Sequence, residues 1–228
     1  MTLTVYEELE QGSPEWEQAR CGLMTASQLN LILTPKLKIA ENEKTRAHAY
    51  ELAAQRITGF VEASYVGANI ERGWADEIRA RDKYSEHYAP VQEIGGMVRD
   101  FGDFRLWASP DGLVGDDGGI ETKSRVQKHQ IRTIADNAIP EEHMLQVQAC
   151  LMVSGRKFWD YISYCGGLPM WVIRIKPDAT MQAAIHAACV AFEKKIQEIM
   201  QEYQDRLDKL GGNVIMTERE TEMDVIVR

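Results

Sequence analysis

The chain has 228 residues, 44% hydrophobic and 27% charged, with a formal net charge of −9; that suits one folded domain with a buried core and argues against a protein that coats DNA non-specifically. No apolar run reaches the length of a membrane span, and "MTLTVYEELEQGS" lacks a basic-then-apolar leader, so a cytoplasmic protein with no membrane association is expected. The four cysteines (Cys21, Cys150, Cys165, Cys189) are scattered, without a C-x-x-C pair or a histidine at zinc spacing, which speaks against structural zinc, an iron–sulfur cluster or a disulfide framework.

Along the chain, "SPEWEQARCG" predicts a short helix with Ser13 as N-cap, Pro14 at the first helical position and Gly22 beyond its end. "TASQLNLIL" predicts a second helix, with Thr25 and Gln28 spaced as a capping box. A third is expected from Thr45 to Arg56, stopping near Gly59. A fourth is expected from Ile70 to Tyr84, with Ile70, Trp74, Ile78 and Tyr84 near one apolar face. From Val91 the segments "VQEIGGMVRD", "DFRLWAS", "GLVG" and "GIETKS" are short, turn-bounded and partly alternating, which predicts an antiparallel meander. Pro140 opens another helix to about Val153, stopped by Gly155. "KFWDYISYC" and "MWVIRIK" predict two more strands, and a long amphipathic helix follows from Asp178 to Leu210, ended by Gly211-Gly212. This order of elements is that of an α/β domain with a mixed central sheet flanked by helices.

The chemistry concentrates in "SPDGLVGDDGGIETKS", residues 109–124. In a strand, Glu121 and Lys123 point to the same face. With the turn centred near Asp117, Asp111 lies opposite Lys123 and joins them. Two carboxylates sharing one patch repel unless a cation sits between them, and oxygen ligands of this kind suit Mg²⁺ or Mn²⁺. A lysine beside the ion can position the attacking water, help deprotonate it, and stabilise charge on a phosphoryl oxygen. The same hairpin taken alone is equally an exposed turn with a Glu/Lys pair. It is not an EF-hand, because Leu113 and Thr122 fall where that loop needs oxygen ligands. Glu77 follows Trp74 by three residues, so it either pairs with Arg81 or faces the metal patch. Gln146 and Gln148 interrupt the apolar run "HMLQVQACLMV", where buried amides need partners.

Four blocks in order, "WEQARCGLMTASQL", "ERGWADEIRA", "SPDGLVGDDGGIETK" and "HMLQVQACLMV", spanning about residues 16–153, give the chain a resemblance to a known family. It resembles the phage lambda exonuclease, or YqaJ-like viral recombinase, branch of the PD-(D/E)XK nucleases. The resemblance implies a restriction-endonuclease-like core within a single nuclease domain, 1–228: N-terminal helices 13–86, sheet and active-site core 90–176, long helix 178–210 and tail 211–228. It implies that Asp111, Glu121 and the Thr122 carbonyl ligate two Mg²⁺ ions (Mn²⁺ substituting), that Lys123 is the catalytic lysine, and that Glu77 is the helical acid of a Gly73-to-Glu77 "G-x-x-x-E" block. Arg20, Ser27, Ser109 and Gln146 match the family's pocket for a terminal 5′-phosphate. The implied activity is processive 5′→3′ degradation of one strand of duplex DNA, releasing 5′-mononucleotides. It is carried out by a ring-shaped homotrimer that hands the 3′ strand to a phage single-strand annealing protein in the bacterial host cytoplasm.

Two departures stand out. The family's Glu-x-Lys is often followed by Cys-Pro, but here by Ser124-Arg125, and the Gln-x-x-x-Tyr pattern of helicase-linked relatives is missing, since Cys150 and Met152 occupy those positions. Arg46, Arg125 and Lys128 are the candidates for a basic inner wall. The competing readings are a nuclease of the same fold that acts as an endonuclease or on other ends, and a non-catalytic scaffold that binds DNA ends or the annealing protein.

Overall fold

In a computed structural model, residues 2–62 and 68–219 are described, with the side chains of 68–71 excepted. The elements in order are β1 (Thr2–Tyr6), α1 (Pro14–Ala19), β2 (Met24–Thr25), a 3-10 turn (Ala26–Leu31), α2 (Glu43–Thr58), α3 (Ala68–His87), β3 (Gly96–Asp100), β4 (Arg105–Ala108), β5 (Gly112–Val114), β6 (Gly118–Ser124), α4 (Gln127–Asp136), α5 (Glu141–Ser154), β7 (Phe158–Tyr164), β8 (Trp171–Ile175) and α6 (Ala179–Leu210).

The fold is mixed α/β, but the hydrogen-bonded strands divide into two four-stranded sheets, β1-β3-β4-β2 and β5-β6-β7-β8, rather than one. The expected meander is cut between β4 and β5, where Pro110 supplies no N–H to continue a ladder. Asp111 therefore sits in the connector that carries the chain from one sheet to the other. Each sheet contains one parallel pair, β2–β4 and β6–β7. The latter is spanned by α4 and α5, the long crossover that parallel neighbours require.

Local signals account for most helix ends. Ser13 caps α1 by accepting the Trp16 N–H, and Asn42 and Asp178 cap α2 and α6 in the same way. Gly155 ends α5 at φ 71, a left-handed turn that glycine adopts without a Cβ penalty. The expected capping box at Thr25 does not form. The Thr25 hydroxyl donates to the Gln28 side chain at 2.9 Å, and the segment is a short 3-10 helix with no side-chain cap. The expected apolar face of α3 is also overturned: Trp74 and Ile78 are 54% and 52% exposed, while Asp76, Ala80 and Tyr84 are buried. Ile70, the fourth residue of that expectation, lies outside the described side chains. The buried stripe keeps the four-residue helical spacing, but small and polar residues fill it because α3 lies close against the sheet. Ala80 and Tyr84 pack there with Val114, Ile120 and Ile162. On the other side of the molecule α5, α6 and α2 enclose the larger core, which includes Leu52, Val147, Leu151, Trp159, Ile185 and Phe192.

Candidate active site

β6 is the foundation of the site. Its glycines let it lie flush on β7: a Cβ on Gly119 would stand 2.5 Å from the Trp159 ring, closer than packed atoms allow. β5 pairs with only its first three residues, Gly118–Ile120, so beyond Ile120 that edge of β6 has no partner strand among the described residues. Asp111 takes the first step of the open edge, its Oδ2 accepting the Thr122 N–H. The N–H and C=O of a strand residue leave on the same side, so the Thr122 carbonyl opens beside this acid. Extending the β5–β6 register by one residue sets Asp111 opposite Glu121, not Lys123 as expected, because the turn centres on Asp116. A shift of two in the partner preserves the face, so the expected convergence is still met.

Glu121 and Lys123 alternate onto one face of β6. Glu121 is 2% exposed and its Oε1 lies 2.6 Å from Lys123 Nζ. Lys123 also donates to Gln146 Oε1 on α5 at 2.9 Å. Glu77 arrives from α3 at the open edge. Arg81, one turn later, donates both to Glu77 Oε1 and to the Asp111 carbonyl at 3.2 Å, so the helical acid pairs with its arginine and faces the carboxylates at once.

The electrostatics follow from three acids around one lysine. Burial raises the Asp111 carboxyl well above the usual carboxylate range, and repulsion from Glu121 and Glu77 raises it further. Glu77 is also raised, chiefly by burial, with Arg81 opposing and Glu121 adding. Burial disfavours the Lys123 ammonium, but Glu121 and Asp111 outweigh it and hold the proton on. Beyond the lysine, His143 is pushed down to about 3 by burial, Lys123 and Arg125. Its neutral ring shares a 2.7 Å hydrogen bond with the Tyr161 hydroxyl.

Among the described residues no three His, Cys, Asp or Glu side chains meet as a metal-binding group. Lys123 and the Thr122 N–H engage the oxygens that would have to converge. The donor set nevertheless fits a hard divalent cation. It consists of oxygens, its three acids outnumber the two cations Lys123 and Arg81, and Glu121 Oε2 is buried without a hydrogen-bond partner.

Residues 15–157 match the model of the YqaJ-like viral recombinase domain. The chain belongs to that family. Comparison with solved structures gives the same answer over most of the chain. The alkaline exonuclease LHK-Exo from Laribacter hongkongensis is 29% identical, with a TM-score of 0.77 over 87% of this chain and 100% of that one. The same enzyme in complex with dAMP aligns at 31% identity with a TM-score of 0.77 over 87% of this chain and 100% of that one. A phage-related exonuclease from Haemophilus somnus 129PT shares the fold, at 11% identity and a TM-score of 0.57 over 79% of this chain and 96% of that one. No curated protein matches significantly.

Within this family member the expected site residues are not all gathered. Asp111, Glu121, Thr122, Lys123, Glu77 and Gln146 form one connected cluster. Arg20, Ser27 and Ser109 make no hydrogen bond or ion pair with it among the described residues. Arg20 lies over the Trp16 ring at 4.1 Å and 3.5 Å from Glu17. Ser109 accepts the Trp107 indole N–H at 2.7 Å. Ser27 is exposed on the 3-10 turn, beside the Thr25 hydroxyl at 3.2 Å. Gln148 is purely architectural: it bonds the Lys176 carbonyl and the Asp178 N–H at 2.9 Å each, fixing α5 to the start of α6. Asp76 and Ser124 escaped the sequence reading. The Ser124 hydroxyl donates to buried Asp76 at 2.7 Å, joining the neighbour of Lys123 to the neighbour of Glu77. The four-residue spacing of Asp76, Ala80 and Tyr84 marks a buried face of α3 but does not point to Ser124.

Proposed function

We propose that the chain is a Mg²⁺-dependent, processive exonuclease that degrades duplex DNA ends 5′→3′, releases 5′-mononucleotides and leaves a 3′ strand for a phage-type annealing protein. The observation that carries this reading is the Glu121–Lys123 pair on one face of β6, with Asp111 and Glu77 closing on its unpaired edge. Family membership adds weight, and the relative crystallised with dAMP holds a mononucleotide of the kind this reaction would release.

Asp111, Glu121, the Thr122 carbonyl and Glu77 are the groups that would hold two divalent ions. Bound there, the ions would supply Lewis-acid stabilisation of the phosphoryl group and activate water. The protein's part is orientation and charge. Lys123, held protonated between Glu121 and Gln146, acts as a fixed cation against charge that builds on a phosphoryl oxygen; it is not suited to take a proton. Gln146 accepts from Lys123 through its oxygen, which leaves its NH₂ group free to donate to a 5′-phosphate. Trp159 and Cys150, fully buried behind the site, keep water away from its floor.

The test is digestion of linear duplex with and without Mg²⁺, comparing wild type with Lys123→Ala. Metal-dependent loss of one strand from the 5′ end is expected, and the variant should lose activity on the order of a thousandfold with an unchanged circular dichroism spectrum. Cleavage of closed circular duplex would instead establish an endonuclease. Near wild-type turnover by Lys123→Ala would remove the lysine from the chemistry.

A further inference from the structure

The departure Ser124-Arg125 falls where related chains often continue Cys-Pro, and the structure gives Arg125 a definite place. Residues 121, 123 and 125 share one face of the strand direction, so acid, lysine and arginine stand in a row. About 6.6 Å separates successive members, at roughly 3.3 Å per residue. α5 runs against this row: Gln146 meets Lys123, and one turn earlier Glu142 stands 3.7 Å from Arg125. Arg125 is held at its backbone, where its N–H donates to the Tyr164 carbonyl at 2.7 Å. Its side chain is 14% exposed and its Nε is buried with no hydrogen-bond partner. Glu142 is 65% exposed, so it neutralises the guanidinium only weakly. His143, the other titratable neighbour on α5, is neutral at ordinary pH.

A guanidinium beside the catalytic lysine whose nearest carboxylate stands 3.7 Å from its Nη1 is suited to bind a phosphate oxygen through its terminal NH₂ groups. We propose that Arg125 binds the phosphodiester adjacent to the scissile one, on the duplex side. The inference rests on the exonuclease reading for the scissile position. The side follows from the reaction: one nucleotide is released, so the phosphodiester next to the scissile one lies on its 3′, duplex side. Asp111 and Glu121 lie at one end of the row, Lys123 in the middle and Arg125 at the other. Arg125 is thus a substrate-binding residue beside the catalytic lysine.

The experiment uses two 5′-phosphorylated duplexes, one normal and one with a single neutral methylphosphonate at the linkage immediately 3′ of the first scissile bond. Wild type should lose about tenfold or more in first-turnover rate and in affinity on the modified duplex. Arg125→Ala should show that loss already on the normal duplex and no further loss on the modified one. Arg125→Lys should recover part of it by restoring charge without the fork. Affinities are measured with EDTA, so they report Arg125 even if the protein cuts no DNA; absence of cleavage by wild type would sink the exonuclease reading alone. An equal methylphosphonate penalty for wild type and Arg125→Ala, in rate and in affinity, would overturn the proposal. Matched melting temperatures of Arg125→Lys and wild type exclude misfolding as the cause.

Discussion

At the scale of single residues, the site stores unfavourable charge. Asp111 lies desolvated between two other acids, and its pKa in the folded chain stands above its value in the unfolded chain. The folded state then holds the extra proton between those two values, so stability falls as pH rises through that window. Asp111→Asn removes the penalty while its amide oxygen still accepts the Thr122 N–H. In EDTA at pH 8 this variant should melt higher than wild type, and the gap should close near pH 4 as the wild-type acid protonates. Added Mg²⁺ should raise the melting temperature of wild type and leave the variant unmoved. A variant less stable than wild type at pH 8 would show that Asp111 is structurally satisfied as an anion. Arg20 presents the complementary case. Burial lowers its pKa, against Glu17 and Glu51, yet its partners are a ring face and a weak ion pair, so the fork keeps donors to spare. Duplex ending in 5′-hydroxyl should be degraded about tenfold or more slowly than 5′-phosphorylated duplex, and Arg20→Ala should abolish that preference. Equal rates on both ends for wild type would remove the pocket.

At the scale of elements, the geometry of the acids depends on how α3 is fastened to the second sheet. Tyr84 donates to Asp160 at 2.5 Å, Arg174 grips the same carboxylate with two bonds of 2.8 Å, and Ser124 donates to Asp76. The last of these sits one residue from both Glu77 and Lys123, so it sets their separation. Asp76→Ala should lower kcat more than it raises KM and should increase the Mg²⁺ needed for half-activity. Asp76→Asn, which still accepts the Ser124 hydroxyl, should restore most of the loss. A change in melting temperature with kcat intact would make the contact merely structural. The sequence made α2, α5, β7, β8 and α6 legible because each carries its own cap, breaker or period. β1 and α4 were not legible. The strand "TLTVY" is half exposed and holds its place by pairing with β3, while α4 follows Val126, which supplies no side-chain cap. α3 misled through Trp74 and Ile78, large apolar residues that face outward. The β6 half of the site was readable from a two-residue period, whereas the Asp76–Ser124 contact spans 48 residues in sequence and leaves no local pattern.

At the scale of the whole molecule, the proposed processivity would require a chain of net charge −9 to stay on a polyanion. Affinity for the phosphate backbone comes from clustered cations, and the candidates here are few. Arg46 is already paired with Glu43 at 2.5 Å, Arg125 lies against the site, and Lys128 is exposed on α4. A single copy offering only these would hold the phosphate backbone weakly. A closed homotrimer changes the problem, because a strand threaded through a ring is retained by topology while each contact remains weak. Three copies would also bring three sets of those cations to one channel. Trp74 and Ile78, both exposed and one turn apart on α3, are apolar side chains that a contact between copies would cover. Sedimentation equilibrium at micromolar concentration should therefore give three times the 25.9 kDa chain mass, with no need for DNA. Challenge with excess unlabelled duplex after loading should leave the digestion of a long labelled duplex unslowed, and raising salt should reduce loading far more than it shortens the tracts digested. A monomer in sedimentation, together with digestion that stops on challenge, would remove the ring and require the chain to hold DNA by local charge alone.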